Sequence, residues 1–144
     1  MKAPVRPAPA AALALLLALG SAASFACGYC VEDRIAAVYD HALLQRSLAS
    51  NHPVLFFAWD GPVTRNDASR QKIMALTSAV AGVDKDSIRV SMEPASLALA
   101  FDPQQSNAQA IETALQKKLG SLTISVVRLQ GPTPSPQIRR LSSR

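Results

Sequence analysis

Both cysteines of the 144-residue chain lie in one motif, Cys27-Gly28-Tyr29-Cys30. Two thiolates three residues apart can converge on one soft ion, which suits Cu(I) directly and Zn(II) with two further ligands. The same pair can instead be a redox couple or a local disulfide. Because the chain has no third cysteine, the pair cannot fasten distant segments together.

The segment before the motif has the three parts of a secretory signal. Lys2 and Arg6 supply a charged start, Ala10 to Leu19 is apolar, and Ser24-Phe25-Ala26 offers small residues at a cleavage site. We therefore expect a signal peptide over residues 1–26 and a periplasmic or secreted protein. The apolar run is too short for a permanent membrane span. An N-terminal membrane anchor and a lipoprotein modified at Cys27 are the alternatives.

The charge balance bears on the partners of the chain. The formal charge is +5, from 15 basic and 10 acidic residues, but five of the basic residues lie at the two ends, outside residues 27–131: Lys2, Arg6, Arg139, Arg140 and Arg144. The remaining ten basic residues match the ten acidic ones, so the central stretch is formally neutral. A neutral domain argues against nucleic acid as a partner.

Hydrophobic spacing divides the first half of the mature chain into elements. Residues 31–49 repeat apolar side chains every three and four positions, which predicts a helix that ends before Pro53. Residues 54–59 are wholly apolar, as in a strand buried on both faces. Asn66 or Asp67 can then cap a helix over residues 68–81, with Gly82 just beyond its end.

The second half of the mature chain contains three predicted strands and one predicted helix. Residues 87–92 alternate apolar and polar side chains, and residues 97–101 form the returning strand. Ser106 and Gln109 have capping-box spacing before a helix, and residues 122–126 are the last strand. Prolines, serines and arginines over residues 131–144 predict a disordered basic tail.

The resulting order from residue 54 is βαββαβ, which is the ferredoxin-like arrangement. We therefore predict an α+β sandwich with an extra N-terminal helix, and we expect the first and third strands, which lack charges, to be central. The domains would be residues 27–50, the CxxC segment and helix, and residues 51–130, the ferredoxin-like domain.

Residues 54–129 resemble a heavy-metal-associated domain, the module of copper chaperones and metal-ATPase tails. Ile73 lies nine residues before Gly82-Val83, as in that family's first helix and the Gly-Val after it. The Phe101-Asp102-Pro103 sequence and the pair Ile111 and Leu115 are similar to its third strand and second helix. The resemblance implies soft-metal binding through two cysteines in the loop that enters the first helix.

The chain departs from the family at those two positions. Counting back from Ile73, the cysteines would fall at Asn66 and Ser69, and neither side chain supplies a thiolate. The family's metal site is therefore not expected here. Cys27 and Cys30 remain as the candidate ligands, and after cleavage the free amine of Cys27, with a pKa of about 7.7, could chelate together with its own sulfur.

Other reactive residues add little to this pair. His41 lies eleven residues after Cys30, or about 16 Å along a helix, so one ion cannot touch both. His52 could reach the pair only through tertiary folding. The chain has no nucleophile elbow, phosphate loop or zincin motif, and no paired carboxylates suited to acid–base catalysis, so we do not expect an enzyme.

The first hypothesis is thus an exported soft-metal binding protein, with Cu(I) favoured over Zn(II) and Cys27 and Cys30 as ligands. Its partners would be the metal ion and a metal transporter or another envelope protein, and no membrane span is expected in the mature chain. The alternatives are a metal-free periplasmic interaction domain with a local disulfide, and a thiol–disulfide redox accessory. The last resembles thioredoxin-like proteins in its Cys-Gly-Tyr-Cys motif but lacks the strand that they have before it.

Overall fold

The computed structural model describes residues 29–132. The signal peptide expected over residues 1–26, the first cysteine of the pair, Cys27, and the tail beyond residue 132 lie outside the described residues. Within residues 29–132 no helix is both long and apolar enough to cross a bilayer.

Four helices and four strands make up the described chain. In order they are α1 (Val31–Ala36), α2 (His41–Ala49), β1 (Val54–Asp60), α3 (Asp67–Ser78), β2 (Arg89–Met92), β3 (Ala95–Ala100), α4 (Ala108–Lys118) and β4 (Thr123–Gln130), with a short 3-10 turn at Lys85–Ser87. From β1 onward the order is βαββαβ, as the sequence pattern predicts.

The strands form one antiparallel sheet in the order β2-β3-β1-β4. Its two central strands are β1 and β3, which are buried along almost their whole length. The buried residues of both strands are uncharged, which suits a position where both faces of the strand are removed from water. The predicted ferredoxin-like α+β fold, with its first and third strands at the centre, is confirmed.

The main core lies between the sheet and helices α3 and α4. Alternate residues of β1 point to opposite faces, and Leu55, Phe57 and Trp59 belong to the face that packs with Ile73 of α3 and Ile111 of α4. All five side chains are almost completely removed from water. Burial of each large apolar side chain contributes about 1.5–3 kcal/mol, so this layer fixes the two helices on the sheet.

A second, smaller core covers the opposite face of the sheet. Val54 and Phe56, the other set of β1 side chains, pack there with Ile35 and Val38 at α1 and with Leu44 of α2. Short alanine side chains of β3 complete the layer and allow the helices to approach closely. The N-terminal segment is therefore an integral layer of the fold, and the sheet has helices on both faces.

The single helix predicted over residues 31–49 is in fact two helices with a break at Asp40. The backbone of Asp40 is extended (φ −127°, ψ 105°), and its carboxylate accepts a hydrogen bond from the amide of Leu43, which begins α2. The same carboxylate pairs with Arg89 of β2 at 2.9 Å. The break lets both short helices place apolar residues on the sheet, and it leaves Tyr39 exposed.

The caps of the two longer helices agree with the sequence in one case and differ in the other. Asn66 caps α3 as predicted, through its Oδ1 and the amide of Ser69. The cap of α4 is Asn107, whose Oδ1 accepts from the amide of Ala110, so the capping box expected at Ser106 is wrong by one residue. An Asn side chain at this position satisfies an otherwise unpaired helical N–H equally well.

Candidate functional site

Cys30 is the N-cap residue of α1. Its backbone is extended (φ −66°, ψ 167°), its side chain is exposed, and the helix starts at the next residue. The carboxylate of Asp33 accepts hydrogen bonds from the Cys30 amide at 3.2 Å and from Sγ at 3.1 Å. The bond from the Cys30 amide is the half of a capping box in which the side chain of the third helical residue binds the backbone of the capping residue.

The first turn of α1 is fastened to the sheet by charged groups as well as by packing. The guanidinium of Arg34, which is only 17% exposed, donates to the carbonyl of Ala95 at 3.0 Å and lies 3.4 Å from the carboxylate of Asp60. Glu32 pairs with Arg128 of β4 at 3.0 Å. Cys30 is therefore held near the end of the sheet where β1 finishes and β3 begins.

Tyr29 connects the cysteine segment to the loops at that same end. A hydrogen bond to the carboxylate of Glu93, in the β2–β3 turn, raises the pKa of the Tyr29 phenol, and the negative charge of Glu93 adds to the effect. Glu93 also pairs with Arg65 at 2.6 Å. Arg34 of α1 contacts Ala95 and Arg65 contacts Glu93, two residues earlier, so the cysteine segment and the loop that enters α3 lie at the same end of the sheet.

Asn66 and Ser69, the positions that the resemblance assigns to metal-binding cysteines, form a helix cap. The Oδ1 atom of Asn66 accepts a hydrogen bond from the backbone amide of Ser69 at 2.9 Å. Among residues 29–132 no group of three or more His, Cys, Asp or Glu side chains is arranged to hold a metal ion. The predicted ligand Cys30 is accessible, whereas the position of its partner Cys27 lies outside the described residues.

The two histidines lie away from Cys30. His52 precedes β1, at the far end from the strand terminus near Cys30, and its Nδ1 lies 2.7 Å from the carboxylate of Asp84. A seven-residue strand spans roughly 20 Å, so tertiary folding does not bring His52 to the cysteine. His41 is the exposed first residue of α2, beyond the break at Asp40.

Sequence reasoning missed three neighbours of the cysteine segment. Asp33 had a usable signal, because an acidic residue three positions after a helix start is the second half of a capping box. Glu93 and Arg65 had none, since their approach to Tyr29 depends on contacts more than 30 residues apart in the chain.

No protein-family model matches the chain, and no characterised protein sequence is significantly similar to it. Two solved structures are similar in fold. One is a copper-binding domain from HMA7, a P-type ATPase, with 16% identity and a TM-score of 0.45, over 54% of this chain and 96% of that one. The other is oxidized MerP from Ralstonia metallidurans CH34, with 19% identity and a TM-score of 0.41, over 52% and 96%.

These similarities are too distant to carry a functional argument. The class of the protein is defined by its own strand order and connectivity, which are those of a ferredoxin-like domain. This is the fold that the resemblance to heavy-metal-associated domains implies, and Asn66 and Ser69 stand where that resemblance implies cysteines.

Proposed function

We propose that this protein handles a soft metal ion, with Cu(I) as the favoured cargo, through the thiolates of Cys27 and Cys30. The observation that carries the proposal is the placement of Cys30: it is exposed, and it is held at the same end of the sheet as the loop entering α3. A cargo site must be accessible to its donor and acceptor. A rigidly fastened segment also reduces the entropy lost when two thiols close on one ion.

The ligand set favours Cu(I) over Zn(II). Two thiolates satisfy a two-coordinate soft ion, whereas zinc requires four ligands. The Cys27 amine could add a third donor after signal cleavage. The partner would be a metal transporter or another envelope protein that receives the ion, and the chain itself would perform no catalysis.

The decisive experiment is an anaerobic competition titration with a Cu(I) chelator on reduced protein. The wild type should retain Cu(I) against the chelator, and Cys27→Ser with Cys30→Ser should remove this binding. Asn66→Ala is the matched control, because it alters the family's metal position without touching a thiol, and its affinity should equal that of the wild type. Oxidation should abolish binding, since a metal ligand must be a thiolate.

If the reduced wild type binds no more tightly than the double serine variant, the metal hypothesis fails. The protein would then be a metal-free interaction domain with a local disulfide. A reduction potential in the range of catalytic dithiols would instead favour the thiol–disulfide accessory.

We further propose that the protein works in the periplasm or outside the cell after cleavage before Cys27. The mass of the exported protein should be that of the chain without its first 26 residues. A diacylglycerol increment on Cys27 would contradict the soluble form and establish the lipoprotein alternative.

A further inference from the structure

A small pocket lies between α3 and α4, where the end of α4 turns toward β4. Its volume is about 100 Å³, whereas about 10–15 Å³ suffices for one water molecule. Ile73, Leu76, Leu119 and Leu122 provide an apolar lining. The pocket therefore has room for several non-hydrogen atoms of a ligand with a hydrocarbon part.

The charged groups that line this pocket have a single sign. They are Lys72 of α3 and Lys118 of α4, and the hydroxyl-bearing residues Ser69 and Ser121 lie beside them. Neither ammonium group belongs to an ion pair with any carboxylate in residues 29–132. Both lysines are exposed, and no acidic residue lines the pocket, so an anion there meets only positive charge.

The larger groove around His52 is lined by charges of both signs. It combines Arg46 and Lys85 with Asp84 and Asp86, so its charges largely cancel. The α3–α4 pocket is distinct from both that groove and the cysteine segment, because its lining includes no residue of either.

We propose that the α3–α4 pocket binds a small organic anion, namely a carboxylate with a short hydrocarbon chain. The carboxylate lies at Lys72 and Lys118, with the serine hydroxyls as hydrogen-bond donors, and the chain occupies the apolar lining. Inorganic phosphate would satisfy the lysines but leave the apolar surface uncovered. The combination of two cations with an apolar cavity selects an amphiphilic ligand.

The test is a titration of the ¹⁵N-labelled protein followed by amide chemical shifts, with acetate, butyrate, butyramide and inorganic phosphate as probes. Butyrate should bind roughly 16-fold more tightly than acetate, because it has two more methylenes and each buried methylene contributes about fourfold. Neutral butyramide should bind at least tenfold more weakly than butyrate. The perturbed amides should cluster at Ser69 and at residues 120–122.

Charge-removal variants assign the effect to this pocket. Lys72→Met and Lys118→Met should each weaken butyrate binding about tenfold, and both keep a residue that favours helix. Lys117→Met is the matched control: Lys117 is adjacent in sequence but borders a different depression, beside Glu112, and its loss should leave binding unchanged. Thermal unfolding confirms that each variant is folded.

Three outcomes would overturn the proposal. Equal weakening by Lys117→Met would show nonspecific attraction to surface charge. Equal binding of butyramide would show an apolar cavity without anion recognition, and tightest binding of phosphate would show an inorganic-anion site. None of these results bears on Cys27 or Cys30, so they are independent of the Cu(I) titration.

Discussion

Cys30 caps α1 in this structure and is a ligand in the proposed metal site, and these two roles place different demands on its sulfur. As the residue that begins α1, it donates its thiol proton to Asp33 across 3.1 Å. As a metal ligand it would have no proton to donate, and its thiolate would face the negative carboxylate of Asp33. In the proposed site, Asp33 therefore opposes the binding form of Cys30 while it stabilises the helix start.

Asp33→Asn should consequently tighten Cu(I) binding. Two unit charges at close range in water interact by about 1 kcal/mol, so removing the Asp33 charge should change the affinity about fivefold, and the Asn amide can donate to a thiolate. The same competition titration measures it. Glu32→Gln is the control, since it removes an equal charge that contacts Arg128 rather than the sulfur. Weaker binding in Asp33→Asn would indicate that Asp33 is itself a ligand.

Replacing one buried side chain on each face of the sheet by alanine tests the two cores separately. Phe56 packs under α1 and α2, and Ile73 packs between α3 and the sheet, and both are at most 3% exposed. Replacing either by alanine should lower the free energy of unfolding by about 2–5 kcal/mol, measured by urea denaturation. Leu129→Ala is the control, because Leu129 is 54% exposed and its loss should change stability by less than about 0.5 kcal/mol. A small effect of Phe56→Ala would mean that the N-terminal helices do not cover that face in solution.

Among the helices and strands, the junction of α1 and α2 is the feature that the apolar spacing did not predict. The apolar spacing of residues 31–49 is compatible with one helix, and no proline or glycine interrupts it. The first helix ends at Ala36, and Asp40 starts the second because its carboxylate both caps α2 and binds Arg89, a contact between positions 49 residues apart. The capping tendency of Asp40 is local, but the ion pair that selects it over a continuous helix is a tertiary contact.

The pH dependence of stability should reveal this junction. The hydrogen bond from the Leu43 amide, assisted by Arg89, holds the pKa of Asp40 below its ordinary value of 3.8. A carboxyl with a lowered pKa in the folded state stabilises the protein above its ordinary pKa, and this contribution is lost as the pH falls through the lowered value.

In Asp40→Asn, the free energy of unfolding should therefore fall less steeply with pH below about pH 4 than in the wild type, because an amide does not titrate in this range. The Asn side chain can still accept from Leu43, so α2 keeps its cap. Urea denaturation at several pH values between 2 and 6 measures the effect. Parallel curves for the variant and the wild type would contradict the proposed role of Asp40.

The strands were more predictable than the helices that join them, and the reasons are physical. An uncharged run such as Val54–Trp59 fits only the middle of a sheet, so position follows from composition. The N-cap of α4 is Asn107 rather than Ser106. Both residues can cap a helix, and the sequence alone does not decide between two adjacent candidates. The approach of Tyr29 to Glu93 and Arg65 depends on the completed fold, so the surroundings of Cys30 were not readable from its neighbours in sequence.

At the scale of the whole molecule, the described chain leaves the folded domain at its C-terminal end. β4 ends at Gln130, and a side chain added at Gly131 would meet no atom within 4 Å. Truncation after Gly131 should therefore lower the melting temperature by no more than a few degrees, measured by circular dichroism. The shortened chain should also lose three positive charges from the tail: Arg139, Arg140 and Arg144. A larger drop would show that the tail packs on the domain.

The second helical layer also has a consequence for the order of assembly. Helices of six and nine residues are only marginally stable in isolation. The anchors of α1 on Ala95 and Arg128 lie 61 and 96 positions away from their partners in the chain. We therefore expect α1 and α2 to dock late in folding, because their contacts on β3 and β4 can form only after those later strands have joined the sheet. Until α1 docks, Cys30 lies on a segment that lacks these contacts. We expect an oxidant or a metal donor to reach its thiol more easily at that stage than in the folded domain.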